Sequence, residues 1–182
     1  MRRGRLTYFV LLIALFLVLL TRCSKEEEDR FSGIDTIEST LYGDAAGYYA
    51  LGFSFDLGKK IPTNGQPRPD ISVHPITDAE EDITGISLET PILVAPFGFA
   101  GEFDSGTEAS AFYNNLTVAT SSSWMLSASP LKENQVWIFR TTEGNYAKFR
   151  VIELKSENRS TGAWASVKFE WMVQPDGTEN FD

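Results

Sequence analysis

The chain has 182 residues, of which 42% are hydrophobic and 23% are charged, and its formal net charge is −9. This length suits one ordinary domain with a substantial core and is short for two. The acidic balance argues against nucleic acid as a partner, because phosphate binding requires a basic surface. The single cysteine, Cys23, excludes internal disulfides and sites built from several thiolates.

The N-terminus has the order of charges and apolar residues that is typical of a secretory signal. Arginines at positions 2, 3 and 5 precede an uncharged run from Tyr8 to Leu20, which is too short to cross a bilayer comfortably, and Cys23 follows. The segment resembles a bacterial lipoprotein signal. That resemblance implies cleavage before Cys23, acylation of its thiol and attachment to a membrane by lipid. Loss of residues 1–22, which hold four arginines and no acid, moves the net charge from −9 to −13.

An acidic cluster follows the cysteine directly, at residues 24–29. It resembles the export signal that sends some Gram-negative lipoproteins to the cell surface, and it also suits a solvated tether. We therefore expect a signal peptide at 1–22, acylated Cys23 and a tether over 23–36, and one domain over 37–182. The expected location is the outer membrane, with display at the cell surface.

Period-two alternation predicts strands in the first half of the domain. Apolar side chains alternate with small or polar ones from Tyr49 to Leu57, and Gly58 ends that run. Residues 62–69 predict a loop. A strand at 70–74 is expected to close at Pro75, and further short strands are expected at 84–89 and 92–94.

One segment, residues 105–116, has helical spacing instead. Ala109, Phe112, Tyr113 and Leu116 recur at intervals of three and four, after a capping residue at position 104 or 105. The spacing predicts a short amphipathic helix that lies against a sheet through Phe112 and Leu116.

The C-terminal third has the clearest strand pattern. Segments 136–141 and 146–152 predict a hairpin about a turn that contains Gly144, and residues 157–162 predict another turn. A long strand over 163–173 places five apolar side chains on one face: Ala165, Val167, Phe169, Trp171 and Val173. The predicted fold is all-β, either a sandwich or a curled antiparallel sheet, with the one helix.

Few residues support catalysis or metal binding. His74 is the only histidine, and no serine lies in a strand-turn-helix nucleophile motif, so a hydrolase is a weak alternative. Four acids at 78–82 could hold calcium, but that loop lacks the glycine and terminal glutamate of an EF-hand. We expect no enzyme activity and no dedicated metal site.

Residues 134–151, NQVWIFRTTEGNYAKFRV, carry a more specific pattern, R-T-x-x-G-x-Y-x-K between two strands. The segment resembles the HmuY-like haem-binding lipoproteins, and segments 48–59 and 69–72 are compatible with that family. The resemblance implies an all-β surface protein that binds haem between two axial histidines or methionines. It further implies delivery of the haem to an outer-membrane receptor, without catalysis.

Haem iron requires a nitrogen or thioether donor on each face. After signal cleavage the chain offers His74, Met125 and Met172, and we expect Met125 to be the best placed of the three. The expected partners are a membrane and a receptor, with the protein a monomer. The alternative is an adhesion or carbohydrate-binding module in which exposed rings, such as Trp124, Trp164 or Tyr146, form stacking platforms.

Overall fold

The computed structural model of the protein describes residues 31–45, 47–91 and 95–181. The predicted signal peptide, Cys23, the acidic cluster and the predicted strand at 92–94 lie outside these residues. The described chain from Phe31 onward belongs to one compact unit.

The expected all-β fold with one short helix is confirmed. The described elements are β1 (Ser32–Asp44), β2 (Gly47–Ser54), β3 (Lys59–Pro62), β4 (Ser72–Thr77), β5 (Ile83–Glu89), β6 (Phe97–Glu102), α1 (Gly106–Asn115), β7 (Trp124–Met125), β8 (Ser127–Ala128), β9 (Gln135–Arg140), β10 (Tyr146–Arg159) and β11 (Gly162–Gln174).

The strands form two antiparallel sheets. The large sheet has the order β3-β2-β1-β11-β10-β9-β6-β7 and curls into a half-barrel, and the small sheet has the order β4-β5-β8. Both sheets contribute to one main core, which includes Val73 and Leu88 of the small sheet and Phe53, Phe149 and Phe169 of the large one. The small sheet therefore covers one face of the large sheet.

A second, smaller cluster lies on the other face of the large sheet. Ile138 is buried there with Ala119 and Phe181, although its neighbours Trp137 and Phe139 belong to the main core. Side chains alternate between faces along a strand, so the two clusters are separated by the sheet itself. The helix α1 contacts β9 and β10.

Strand β1 begins earlier than the sequence predicted. Residues 32–36 were expected in the tether, but they pair with β11, with Ser32 opposite Met172 and Thr36 opposite Lys168. Their mixed polarity hid the strand, because the pairing depends on backbone groups that every residue supplies. Residues 32–36 therefore belong to the β domain and not to a tether.

Three predicted strand ends were also wrong, and the first is that β2 ends at Ser54, before a turn at 55–58, instead of at Leu57. β4 continues through Pro75 to Thr77, and it can do so because β4 is an edge strand of the small sheet, where a missing N–H costs least. β10 continues to Arg159, which pairs with Gly162, so the predicted turn at 157–162 shortens to residues 160–161.

The hairpin of β9 and β10 is confirmed, with Tyr146 opposite Arg140. Its turn requires Gly144, whose φ of 87° is in the left-handed region that favours glycine. The five apolar side chains predicted on one face of β11 are all buried.

The helix α1 is confirmed, and it lies against the large sheet as expected. The Ser105 hydroxyl accepts from the backbone N–H of Glu108 (3.3 Å) and caps the first turn. Ala109 and Tyr113 are the buried residues, while Phe112 is half-buried and packs on Phe103 with ring centroids 4.8 Å apart. The ring of Phe112 lies beside Gly101 of β6, and Leu116 packs against the second cluster, so both predicted residues contact the sheet.

Candidate functional site

Two long hairpins reach the same end of the large sheet. β1 and β2 meet at residues 44–47, and β10 and β11 meet at residues 160–161. Large side chains near the first tip are strongly exposed, with Tyr48 81% and Leu41 67% accessible. Exposed apolar groups that cluster in this way are typical of a binding surface.

The first cavity at this end has a volume of about 310 Å³ and contains the histidine. Its apolar wall includes Leu41, Tyr48 and Tyr49, and its polar wall includes His74 and Ser72. The ring of Tyr42 stacks on that of Tyr49, with centroids 5.8 Å apart, and so helps to position Tyr49 in the cavity wall. An apolar cavity with a few polar groups is the usual form of a small-molecule site.

His74 is exposed and points away from the main core, since its neighbour Val73 is buried in that core. Its Nε2 lies 2.9 Å from the hydroxyl oxygen of Ser72, which is only 8% exposed. When Nε2 carries the proton and donates to Ser72, the lone pair is at Nδ1. A second partner of this kind commonly orients a metal-ligating histidine.

The contact between Ser72 and His74 also has the geometry of a nucleophile and its base. A triad further requires an acid on the other imidazole nitrogen and donors aimed at the reacting carbonyl. Glu89 lines the same cavity, but its Oε1 accepts from the hydroxyl of Ser87 (3.3 Å). The pair therefore supports positioning of the imidazole better than hydrolysis.

A second cavity, of about 540 Å³, shares Leu41 and Tyr48 with the first. Its other side is formed by the β10–β11 hairpin, including Arg159 and Trp164. Tyr48 thus stands between the two cavities, with its ring available to a flat ligand.

The structure places the three predicted haem ligands in three separate surroundings. Met125, on β7, is half-buried and packs against the main core. Met172, on β11, is half-buried and packs against the second cluster, on the opposite face of the sheet. His74 lines the first cavity. The arrangement does not bring Met125 and Met172 together as an axial pair, and it favours His74 over Met125 as the donor for a ligand.

The predicted aromatic platforms are half-buried and partly covered. The guanidinium carbon of Arg140 lies 4.0 Å from the ring centroid of Trp124 and 5.6 Å from that of Tyr146. The guanidinium carbon of Arg159 lies 3.6 Å from the ring centroid of Trp164. Tyr48, which the sequence did not single out, is the more accessible ring.

The acidic loop at 78–82 bonds to itself. One carboxylate oxygen of Asp78 accepts from the backbone N–H groups of Glu80 and Asp82, at 3.1 and 2.9 Å. Within the described residues, no group of three or more histidine, cysteine, aspartate or glutamate side chains could hold a metal ion. The role that the structure shows for Asp78 is to stabilise the turn of this loop.

The R-T-x-x-G-x-Y-x-K residues have structural roles. The Thr141 hydroxyl accepts from the backbone N–H of Asn145 (3.1 Å) within the hairpin turn. The Tyr146 hydroxyl donates to Glu179 (3.2 Å), and the buried Lys148 ammonium donates to two carbonyls at the end of α1. The pattern therefore specifies how this hairpin and helix fit together.

Comparison with protein-family models finds no match to the chain, and comparison with curated protein sequences finds none either. In the part of the chain that the structure describes, no helix is both long and apolar enough to span a bilayer.

Proposed function

We propose that the protein is a surface-anchored lipoprotein that captures haem or a related tetrapyrrole without catalysis. The observation that carries the proposal is the first cavity, which is lined both by His74 and by the apolar and aromatic side chains of Leu41, Tyr48 and Tyr49. A tetrapyrrole needs both features, because its iron takes an imidazole nitrogen and its ring stacks on apolar or aromatic groups.

Two sequence features support the same proposal. The segment 134–151 resembles the HmuY-like family, and the leader with Cys23 resembles a lipoprotein signal. In this proposal His74 supplies an axial nitrogen, and an outer-membrane receptor receives the haem. The phenol groups of Tyr48 and Tyr49 lie in the same cavity, and a tyrosine oxygen is a known haem ligand.

The test is a titration of the full-length protein with haemin, followed by absorbance. Binding is expected to shift the Soret band, and His74→Ala is expected to abolish the shift or weaken binding at least tenfold. Met125→Ala and Met172→Ala are the matched controls and should leave the shift unchanged. An unchanged haemin spectrum with the wild-type protein would overturn the proposal, and a shift that survives His74→Ala would overturn the assignment of the cavity.

A second candidate function is carbohydrate binding, favoured by the exposed ring of Tyr48 beside a cavity that Ser39, Thr40 and Thr161 also line. Hydroxyl groups around an aromatic ring suit a sugar. Binding on a glycan array that is lost in Tyr48→Ala, together with no response to haemin, would favour this candidate over haem capture.

A further inference from the structure

Arg159 lines the second cavity and has two side-chain partners there. Its Nε donates to a carboxylate oxygen of Glu157 (2.6 Å), and its guanidinium carbon lies 3.6 Å from the ring centroid of Trp164. The indole N–H of Trp164 in turn donates to the hydroxyl of Thr40 (3.0 Å) on β1. The arginine therefore contacts a carboxylate and a ring, and the ring is hydrogen-bonded to the neighbouring strand.

This arrangement suits recognition of a carboxylate. A guanidinium group has five N–H donors in a planar fork, and the contact with Glu157 uses Nε. Paired bonds from the two terminal nitrogens are one way in which arginine binds a carboxylate. Because stacking on Trp164 already orders the side chain, less rotamer entropy is lost when a ligand binds.

The surroundings of Arg159 decide from which side an acid can approach. On one side it lines the cavity that Tyr48 and Leu41 border. On its other side it lines a cavity with Glu80, Glu81 and Asp82, whose charges repel an anion. A ligand carboxylate is therefore favoured on the side of Tyr48.

The two cavities are neighbours, since Leu41 and Tyr48 line both. We propose that Arg159 binds the propionate carboxylates of a tetrapyrrole whose ring lies on Tyr48 and whose iron is ligated by His74. This inference rests on the proposed function and adds to it the orientation of the ligand and its chemical class, a flat apolar ring with an acidic edge.

The experiment compares haemin with haemin dimethyl ester, in which both propionates are neutral. The full-length protein is expected to bind haemin about tenfold more tightly than the ester, as fits one charge-assisted contact. Arg159→Gln should weaken haemin binding about tenfold and leave ester binding unchanged. Arg159→Lys keeps the charge and loses the planar fork, so its affinity for haemin should lie between those of the wild type and Arg159→Gln.

Lys155→Gln is the matched control, because the substitution removes the same charge from the same strand. Like Arg159, Lys155 is paired with a carboxylate, that of Glu153, at 3.0 Å. The substitution should leave the affinities for both ligands unchanged. Equal binding of haemin and ester by the wild-type protein would overturn the role of Arg159 and leave haem capture standing. An equal loss of haemin affinity in Lys155→Gln and Arg159→Gln would have the same two consequences. Binding of neither ligand would instead overturn the proposed function. Circular dichroism checks that each variant is folded.

Discussion

Asp70 is a buried carboxyl group that ties two turns of the large sheet together. One of its oxygens accepts from the backbone N–H of Phe55 (2.8 Å), and the other accepts from the backbone N–H (3.0 Å) and hydroxyl (3.2 Å) of Thr142. Burial raises the pKa of Asp70 to about 6, the N–H of Thr142 opposes that rise, and the nearby charge of Asp56 adds to it.

The raised pKa of Asp70 predicts a pH dependence of stability. The folded state holds the proton more tightly than the unfolded state, so the contribution of this group to the free energy of unfolding is full below about pH 4. It is lost as the pH rises through about 6, the pKa of Asp70 in the folded state. The loss is about 2–3 kcal/mol. Urea unfolding of the wild-type protein between pH 4 and pH 7 should show this fall.

Asp70→Asn removes the titrating carboxyl group, so the part of the fall in unfolding free energy that Asp70 causes should disappear. The amide still accepts through its oxygen, but its NH₂ faces a backbone donor, so the variant should be less stable than wild type at pH 4, with a smaller difference at pH 7. Asp104→Asn, at an exposed carboxylate, is the control and should keep the wild-type profile. An Asp70→Asn profile parallel to that of the wild type would contradict the prediction.

At the scale of single residues, the sequence could identify His74, because it is the only histidine. It could not identify Ser72 as the hydrogen-bond partner of His74, or Tyr48 as a residue of the same cavity. Their shared surface forms where segments from three parts of the chain meet, and no local pattern encodes that meeting. Asp70 was hidden for the same reason, since its partners lie 15 and 72 positions away.

The helix α1 is attached to the large sheet by an unusual contact, a buried lysine. The ammonium of Lys148 on β10 donates to the carbonyls of Tyr113 and Leu116, both at 2.9 Å, and lies 4.8 Å from the ring centroid of Tyr113. Carbonyls at the end of a helix lack partners within the helix and carry partial negative charge, so a cation is favoured there.

Lys148→Met is expected to loosen this end of the helix. Methionine keeps most of the apolar stem and removes the charge and the donors, which leaves the Leu116 carbonyl without the bond that Lys148 provides. A loss of about 1–3 kcal/mol in the free energy of unfolding is expected, with faster amide exchange in residues 113–116. Lys155→Met, at an exposed lysine of the same strand, should change neither. Unchanged exchange at 113–116 would contradict the role of Lys148.

At the scale of elements, periodicity predicted the strands whose two faces differ most, such as β11. It missed the start of β1, where the side chains do not alternate in polarity although the backbone pairs with β11. It also ended β4 too early, because an edge strand tolerates the proline at position 75. The helix was found by its spacing, but the choice between Phe112 and Tyr113 as the buried ring depends on Phe103 and Lys148, which lie elsewhere in the chain.

Strand β1 joins the two ends of the large sheet. β1 begins at Ser32, next to the segment that leads back to Cys23, and runs for 13 residues to the tip beside Tyr48. At about 3.3 Å per residue, that strand spans about 40 Å. The cavities with His74 and Arg159 lie at the end of the large sheet opposite Ser32.

An epitope tag inserted at residues 160–161, in the turn between β10 and β11, tests this arrangement on cells. Antibody should stain intact cells, because the turn is exposed and lies at the far end of the sheet from Ser32. Cys23→Ala in the tagged chain should move the protein from the membrane fraction to the soluble fraction and abolish the staining, since no acyl chain then holds it. A periplasmic protein with the same tag is the control for permeability. Staining that requires permeabilised cells would contradict display at the surface, and membrane attachment that persists in Cys23→Ala would contradict the lipid anchor.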